Sequence, residues 1–239
     1  VYDSIIKTAK EQDIPVVGHV PGLVGIEKAL QSGQKSIEHL DNYYDSEDLY
    51  DMTVENNVWN CPTLVVYQVY EKASIKGSLE GKEYINPNTI KYWEEVVGPP
   101  EVGLGVNRIE FNNKKRIVKK LYDKGGKIIL GTDTNNPFIL PGFSIHDELY
   151  NLVDAGFTPY EAIRIGTYNA AEFLDALDES GTVEIGKNAD LILLAANPLE
   201  DITNMKAIEG VMVRGKWISK SEMDKMLETI AEKYKTVKE

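Results

Sequence analysis

Short apolar runs alternate with amphipathic helical patterns four times in this chain, and that alternation constrains the fold more than any other feature. The runs are Ile14-Pro-Val-Val-Gly-His-Val20, Ser36-Ile-Glu-His-Leu40, Val58-Trp-Asn-Cys-Pro-Thr-Leu-Val-Val66 and Lys127-Ile-Ile-Leu-Gly-Thr-Asp-Thr134. Their β-branched, uninterrupted character suits strands covered on both faces. The intervening patterns predict helices over Ser4 to Gln12 and Gly25 to Ser32 (stopped by Gly33), then from a Ser46 cap to about Asn57. A further one runs from Asn107 and Glu110, at capping-box spacing, to Lys124, where Gly125-Gly126 stops it. Strands joined by helices pair in parallel, so the expected class is α/β, either a barrel or an open doubly wound sheet.

The rhythm breaks twice. Residues 68–106 are too long for a plain connection and carry Tyr70, Tyr84, Tyr92, Trp93 and the turn-rich Gly98-Pro-Pro-Glu-Val-Gly-Leu-Gly105. Following a strand, they read either as a partly helical lid on the side where βα loops build sites or as a surface excursion. Ser144 to Ala155 then predicts a helix, and Thr158-Pro-Tyr-Glu161 opens another with a capping box and proline at its first position. Beyond about residue 180 the pattern changes to short strands at 181–186, 189–194 and 211–218 without helices between them, closed by a helix from Ser221 to about Tyr234. The expected organisation is a larger unit over 1–179, with the insertion at about 68–106, and a small β appendage with its helix over 180–239.

Composition narrows the partners. A formal net charge of −12 repels nucleic acid and anionic membrane surfaces. The single cysteine, Cys61, permits neither an internal disulfide nor a multi-cysteine zinc site, and leaves the compartment open. No run approaches the length of a membrane span, and the first residues show no targeting pattern.

Chemistry gathers at the ends of the runs. Asp133 follows a buried strand and Gly131, which is expected to turn the backbone; a carboxylate there needs something positive beyond the strand end, or else caps a turn. His19 and His39 hold equivalent places on successive strands, and the chain has only three histidines. In a parallel sheet all three groups emerge on one face as a mixed N/O set suited to zinc, iron or manganese. The third histidine, His146, is expected to touch Asp133 or substrate, or to play a structural part on its helix. Glu38 points to the other face by strand periodicity and stays outside the expected site.

Several motifs, in order, then point to a family. Gly18-His19, Ile37-Glu38-His39, Pro62-Thr63, Gly131-Thr132-Asp133, Thr158-Pro-Tyr-Glu-Ala-Ile163, Thr167-Tyr-Asn-Ala-Ala171 and Gly186-Lys-Asn-Ala-Asp-Leu-Ile-Leu-Leu194 together resemble the amidohydrolase superfamily. The branch they resemble is that of imidazolonepropionase-related hydrolases and prolidase-type metal-dependent dipeptidases. The resemblance implies the C-terminal half of a (β/α)8 TIM-type barrel, strands five to eight, plus part of a small β-sandwich domain. His19 would end the fifth strand, His39 the sixth and Asp133 the eighth. It further implies one or two divalent ions, zinc first, with His19 and His39 as ligands and Asp133 as ligand and general base. In mononuclear members the sixth-strand histidine can contact substrate instead. The family's first-strand His-x-His and fourth-strand Lys would precede Val1, and nothing here replaces them.

The activity so implied is hydrolysis of an amide bond in a dipeptide or cyclic amide by activated water. Heterocycle deamination is the alternative within the superfamily, although many deaminases carry Glu three residues after the fifth-strand histidine and this chain has Gly22. The alternative from another class is a non-catalytic association module built from a barrel fragment. Four barrel strands cannot close a barrel, so the expected partners, besides a small amide substrate, are the missing N-terminal half or a second chain, and an oligomer is expected.

Overall fold

The structure, a computed structural model, describes residues 1–72, 79–97, 104–134 and 136–235. Parts of the predicted insertion, 73–78 and 98–103, lie outside these, the turn-rich stretch from Gly98 among them. None of the described helices is long and apolar enough to cross a membrane.

The four apolar runs form one sheet in chain order. Helix α1 (Tyr2–Glu11) leads into β1 (Val17–Gly18), α2 (Ile26–Gln31), β2 (Ser36–Glu38), α3 (Glu47–Glu55), β3 (Trp59–Cys61) and α4 (Leu64–Lys72). After a 3-10 turn at Lys82–Tyr84 come α5 (Pro87–Val97), α6 (Leu104–Asp123) and β4 (Lys127–Ile128). The order is β1-β2-β3-β4 and all three pairings are parallel, with Gly18 opposite Ile37, Asn60 opposite Ile37 and Ile128 opposite Asn60. The chain continues through α7 (Ser144–Asp154), α8 (Pro159–Gly166) and α9 (Tyr168–Phe173).

Period-two alternation divides the sheet. Ile37 and Ile128, fully buried, join the main core with Leu30, Tyr50, Leu121, Leu152 and Ile165 from the helices. Each such aliphatic side chain contributes roughly 1.5–3 kcal/mol by leaving water. The other face carries a smaller cluster of Trp59, Cys61 and Ile129 against Phe173. At the edge, β1 is poorly covered: Val17 is 53% and Ile14 62% exposed, where the sequence predicted a buried strand.

Several predicted elements are shorter or differently bounded. The run to Val66 stops as a strand at Cys61, because α4 begins at Leu64 once the carboxyl group of Glu148 accepts the N–H groups of Leu64 (2.8 Å) and Val65 (2.7 Å). The run to Thr134 keeps only Lys127–Ile128 as ladder, with one further bond from Ile129 N–H to the Asn60 carbonyl. Helix α6 starts at Leu104, so Asn107 lies inside it rather than at its cap. Ser46 sits at the N-cap of α3 without a side-chain bond to it. Thr158 does form the predicted capping box with Glu161, a device worth about 1 kcal/mol.

After α9 a second, antiparallel sheet contains β5 (Leu191–Leu194), β6 (Ile208–Val213) and β7 (Lys216–Ser219), followed by α10 (Lys220–Lys235). The predicted strand at 211–218 is instead a hairpin, turned at Arg214 and Gly215, both with positive φ. The stretch 181–186 is a turn region with Val183 and Ile185 facing solvent, and not a strand.

Candidate functional site

The candidate residues all stand just past the C-terminal ends of parallel strands, where βα loops begin. His19 follows β1, His39 follows β2, Thr63 lies two residues past β3, and Asp133 lies beyond β4. His39, Thr63 and Asp133 share a left-handed backbone, with φ of 58°, 45° and 56°. Such conformations cost non-glycine residues about 1–3 kcal/mol and concentrate at functional sites. The step turns the chain sharply where each loop leaves the sheet. Gly131 has a different role from the expected turn: a Cβ on it would run into the sulfur of Cys61, so glycine is needed there for close approach of β3.

Hydrogen bonding sets the state of both imidazoles. His19 Nδ1 lies 2.7 Å from Asp41 Oδ2, an acceptor when ionised, so the ring donates from Nδ1 and keeps its lone pair on Nε2. His39 Nδ1 lies 2.6 Å from Thr63 Oγ1, and that hydroxyl donates its own proton to the Pro62 carbonyl at 2.9 Å. Thr63 therefore accepts from His39, whose neutral ring then keeps its lone pair on Nε2. That nitrogen lies 3.6 Å from Asp133 Oδ2. Two acceptors facing each other at this distance repel unless a proton or cation lies between them.

The donor set fits a divalent ion in part. Two ligands at about 2.0–2.2 Å from one tetrahedral ion stand about 3.4 Å apart, close to the His39 and Asp133 separation. A histidine whose other nitrogen is held by an oxygen partner is the usual arrangement around a metal. His19 lies beside this pair: its ring stacks on His39, centroids 4.6 Å apart at 28°, and its side chain, bonded to Asp41, is 71% exposed. Among the described residues no three His, Cys, Asp or Glu side chains gather as a set able to hold a metal. The structure thus brings His39 and Asp133 together, lays His19 alongside, and leaves the set incomplete.

His146 is placed elsewhere. It sits on α7 with Nδ1 buried and without a hydrogen bond; burial first, and then Lys206, lower its pKa, while Glu80 and Asp147 oppose them. The side chain that reaches Asp133 is Asn136, whose amide donates to Asp133 Oδ2 and, at 3.3 Å, to the Asp133 carbonyl. Glu38 accepts from Ser36 at 2.6 Å, away from the histidines. Sequence reasoning also missed Asp41 and Tyr67, whose hydroxyl donates to the His39 carbonyl at 3.1 Å. Asp41 had a local signal, standing two residues after His39.

The insertion approaches the same region. Trp93 of α5, buried, meets Phe138 edge-on at 5.8 Å, five residues after Asp133. Phe138 in turn packs with Val65 and Ile139, so α5 rests on the loop that carries the carboxylate.

Known proteins resemble this chain in sequence and fold. Ochratoxinase from Aspergillus niger is 28% identical over 217 residues, covering 89% of this chain and 39% of the relative. Imidazolonepropionase from Geobacillus sp. (strain WCH70) is 39% identical over 77 residues, 31% of this chain and 18% of the relative. The crystal structure of a Xaa-Pro dipeptidase with methionine in its active site superposes with a TM-score of 0.68 at 26% identity, covering 91% of this chain and 48% of that one. The chain spans less than half the length of each. A family model described as the amidohydrolase family matches residues 2–218, nearly the whole sequence: the chain belongs to the amidohydrolase family.

Proposed function

We propose that this protein hydrolyses an amide bond in a dipeptide or cyclic amide, using a divalent ion, zinc first, held by His39 and Asp133 with His19 beside them. The observation that carries this reading is the 3.6 Å approach of His39 Nε2 to Asp133 Oδ2, the spacing of two ligands on one ion. A bound divalent ion lowers the pKa of water and polarises a carbonyl. Asp133 takes the proton from the attacking water on its other oxygen, Oδ1, and passes it to the leaving amine, while Asn136, bonded to Oδ2, keeps the carboxylate oriented. Asp41 and Thr63 fix the tautomers that leave both Nε2 lone pairs free.

The same reading makes β1 to β4 strands five to eight of a (β/α)8 barrel and β5 to β7 part of a sandwich, completed by an N-terminal half or another chain that also supplies the remaining ligands. It is supported by the span of less than half of each relative, by the open β1 edge, and by Leu191, Ile192 and Leu193 of β5, which are 38%, 52% and 55% exposed. Light scattering on the isolated 239-residue chain should therefore find oligomers or aggregates; a monomer that unfolds cooperatively would refute the half-barrel reading. Metal analysis after dialysis should find at most weak, substoichiometric zinc on that isolated chain, and two tightly held ions would contradict the incomplete site. For the activity, the whole protein should cleave members of a panel of dipeptides, Xaa-Pro among them, and N-acyl amides. Ammonia release from purines or pyrimidines without amide cleavage would replace hydrolysis by deamination.

A further inference from the structure

The turn that carries His39 is held against its own backbone preference from behind the site. His39, Leu40 and Asn42 have φ of 58°, 50° and 59°, and for a bulky residue such as leucine the left-handed region is a true outlier. Runs of this kind persist only where the surroundings over-determine them. Within the neighbouring loops, Asn42 Nδ2 donates to the Val20 carbonyl at 2.7 Å and Val20 N–H donates to Asp41 Oδ2 at 3.3 Å. The turn also closes on itself, Asp41 N–H donating to the Glu38 carbonyl at 3.0 Å and Tyr43 N–H to the Leu40 carbonyl at 3.1 Å, and two further restraints come from helices. Tyr67 of α4 donates its hydroxyl to the His39 carbonyl at 3.1 Å, and Lys114 of α6 donates from Nζ to the Leu40 carbonyl at 2.8 Å. Lys114 is only 8% exposed, and its ammonium lies 5.4 Å from the centroid of the Tyr67 ring. A lysine is rarely buried, and this one directs its charge at a backbone carbonyl and an aromatic face, with Glu110 and Asp41 as its charged surroundings. Asp41 is also the partner of His19, so a single cation stands behind both histidines.

We propose that Lys114 and Tyr67 are positioning residues for the site: by pinning two consecutive carbonyls they hold the left-handed turn that aims His39 Nε2 at Asp133 and sets Asp41 against His19. The metal part of the test rests on His39 being a ligand, as proposed above; the tautomer part does not. Lys114→Met keeps an unbranched stem in the core and removes the donor, and Tyr67→Phe removes one oxygen.

Both variants should be compared with the parent in the whole protein that carries this chain. The readouts are long-range proton–nitrogen NMR of the imidazoles in metal-free protein at pH 8, assigned by single histidine substitutions, and zinc affinity by competition. In each variant the His39 pattern should pass from one Nδ1–H tautomer to a mixture while His146 is unchanged, and zinc affinity should fall about 10- to 100-fold. Lower thermal stability with the His39 pattern and zinc affinity of the parent would overturn the proposal, leaving Lys114 as packing only. A lost tautomer with unchanged zinc affinity would uphold positioning and remove His39 from the ligands. If Lys114→Met fails to fold, Tyr67→Phe decides alone by the same readouts.

Discussion

Replacing Asp133 by Asn should lower turnover about 10²-fold or more while the fold survives, because the change removes the proton acceptor and one cation ligand with almost no change in volume. Asp133 is part-exposed, and Asn136 is its hydrogen-bonded neighbour. An asparagine at the position can still present an oxygen, but without charge, so both its hold on a divalent ion and its capacity to carry a proton weaken together. The left-handed backbone there, φ 56°, is tolerated by Asn better than by most residues, which is why stability should change little. The measurement is kcat on whichever amide the panel yields, alongside a thermal melt. Near-normal turnover would remove Asp133 from the mechanism, and collapse of the melt would show that the carboxylate is structural.

The largest effect on stability is expected at Glu148. This carboxyl is fully buried on α7 and takes the first N–H groups of α4 on its two oxygens. Glu148→Leu leaves those donors buried and unpaired, each costing about 1–3 kcal/mol, so a loss of roughly 3–5 kcal/mol in denaturant unfolding is expected. Burial pushes the Glu148 pKa up to about 8, against the N–H groups of Val65 and Leu64, which hold it down. A folded pKa above the ordinary carboxyl value means that folding takes up a proton. The associated stability is complete below about pH 4.5 and is lost as pH rises through about 8. Denaturation midpoints should therefore fall between pH 5 and 8 more steeply in the parent than in Glu148→Gln. Parallel slopes would show that Glu148 does not titrate in that window. Because α4 begins directly after Thr63, this carboxyl also fixes the residue that accepts from His39.

The chain's local periodicity was enough to predict a parallel α/β sheet, for a physical reason: a strand covered on both faces must be apolar throughout, and a helix covering it must be apolar on one side only. The strand ends could be read in the same way. His19, His39 and Asp133 each follow an apolar run, and a parallel sheet sends the ends of all such runs to one face. Element limits were less legible. The apolar character of Leu64, Val65 and Val66 extends the predicted β3, yet a carboxyl group 84 positions away in the chain starts a helix there. One apolar run at 211–218 similarly hides a hairpin that Gly215 makes possible.

How the polar groups pair is set by packing and cannot be read along the chain. Asp41 with His19, separated by 22 positions, Lys114 with Leu40, separated by 74, and Glu148 with Leu64 carry no periodic signature, since each partner satisfies the other only after the sheet and helices have brought them together. The same holds for Gly131, whose missing side chain reads as a turn in the sequence and proves to be room for Cys61. Apolar residues report the burial of their own segment and so can be read one at a time. A buried donor or acceptor reports nothing until the group that satisfies it is known, and that group is chosen by packing.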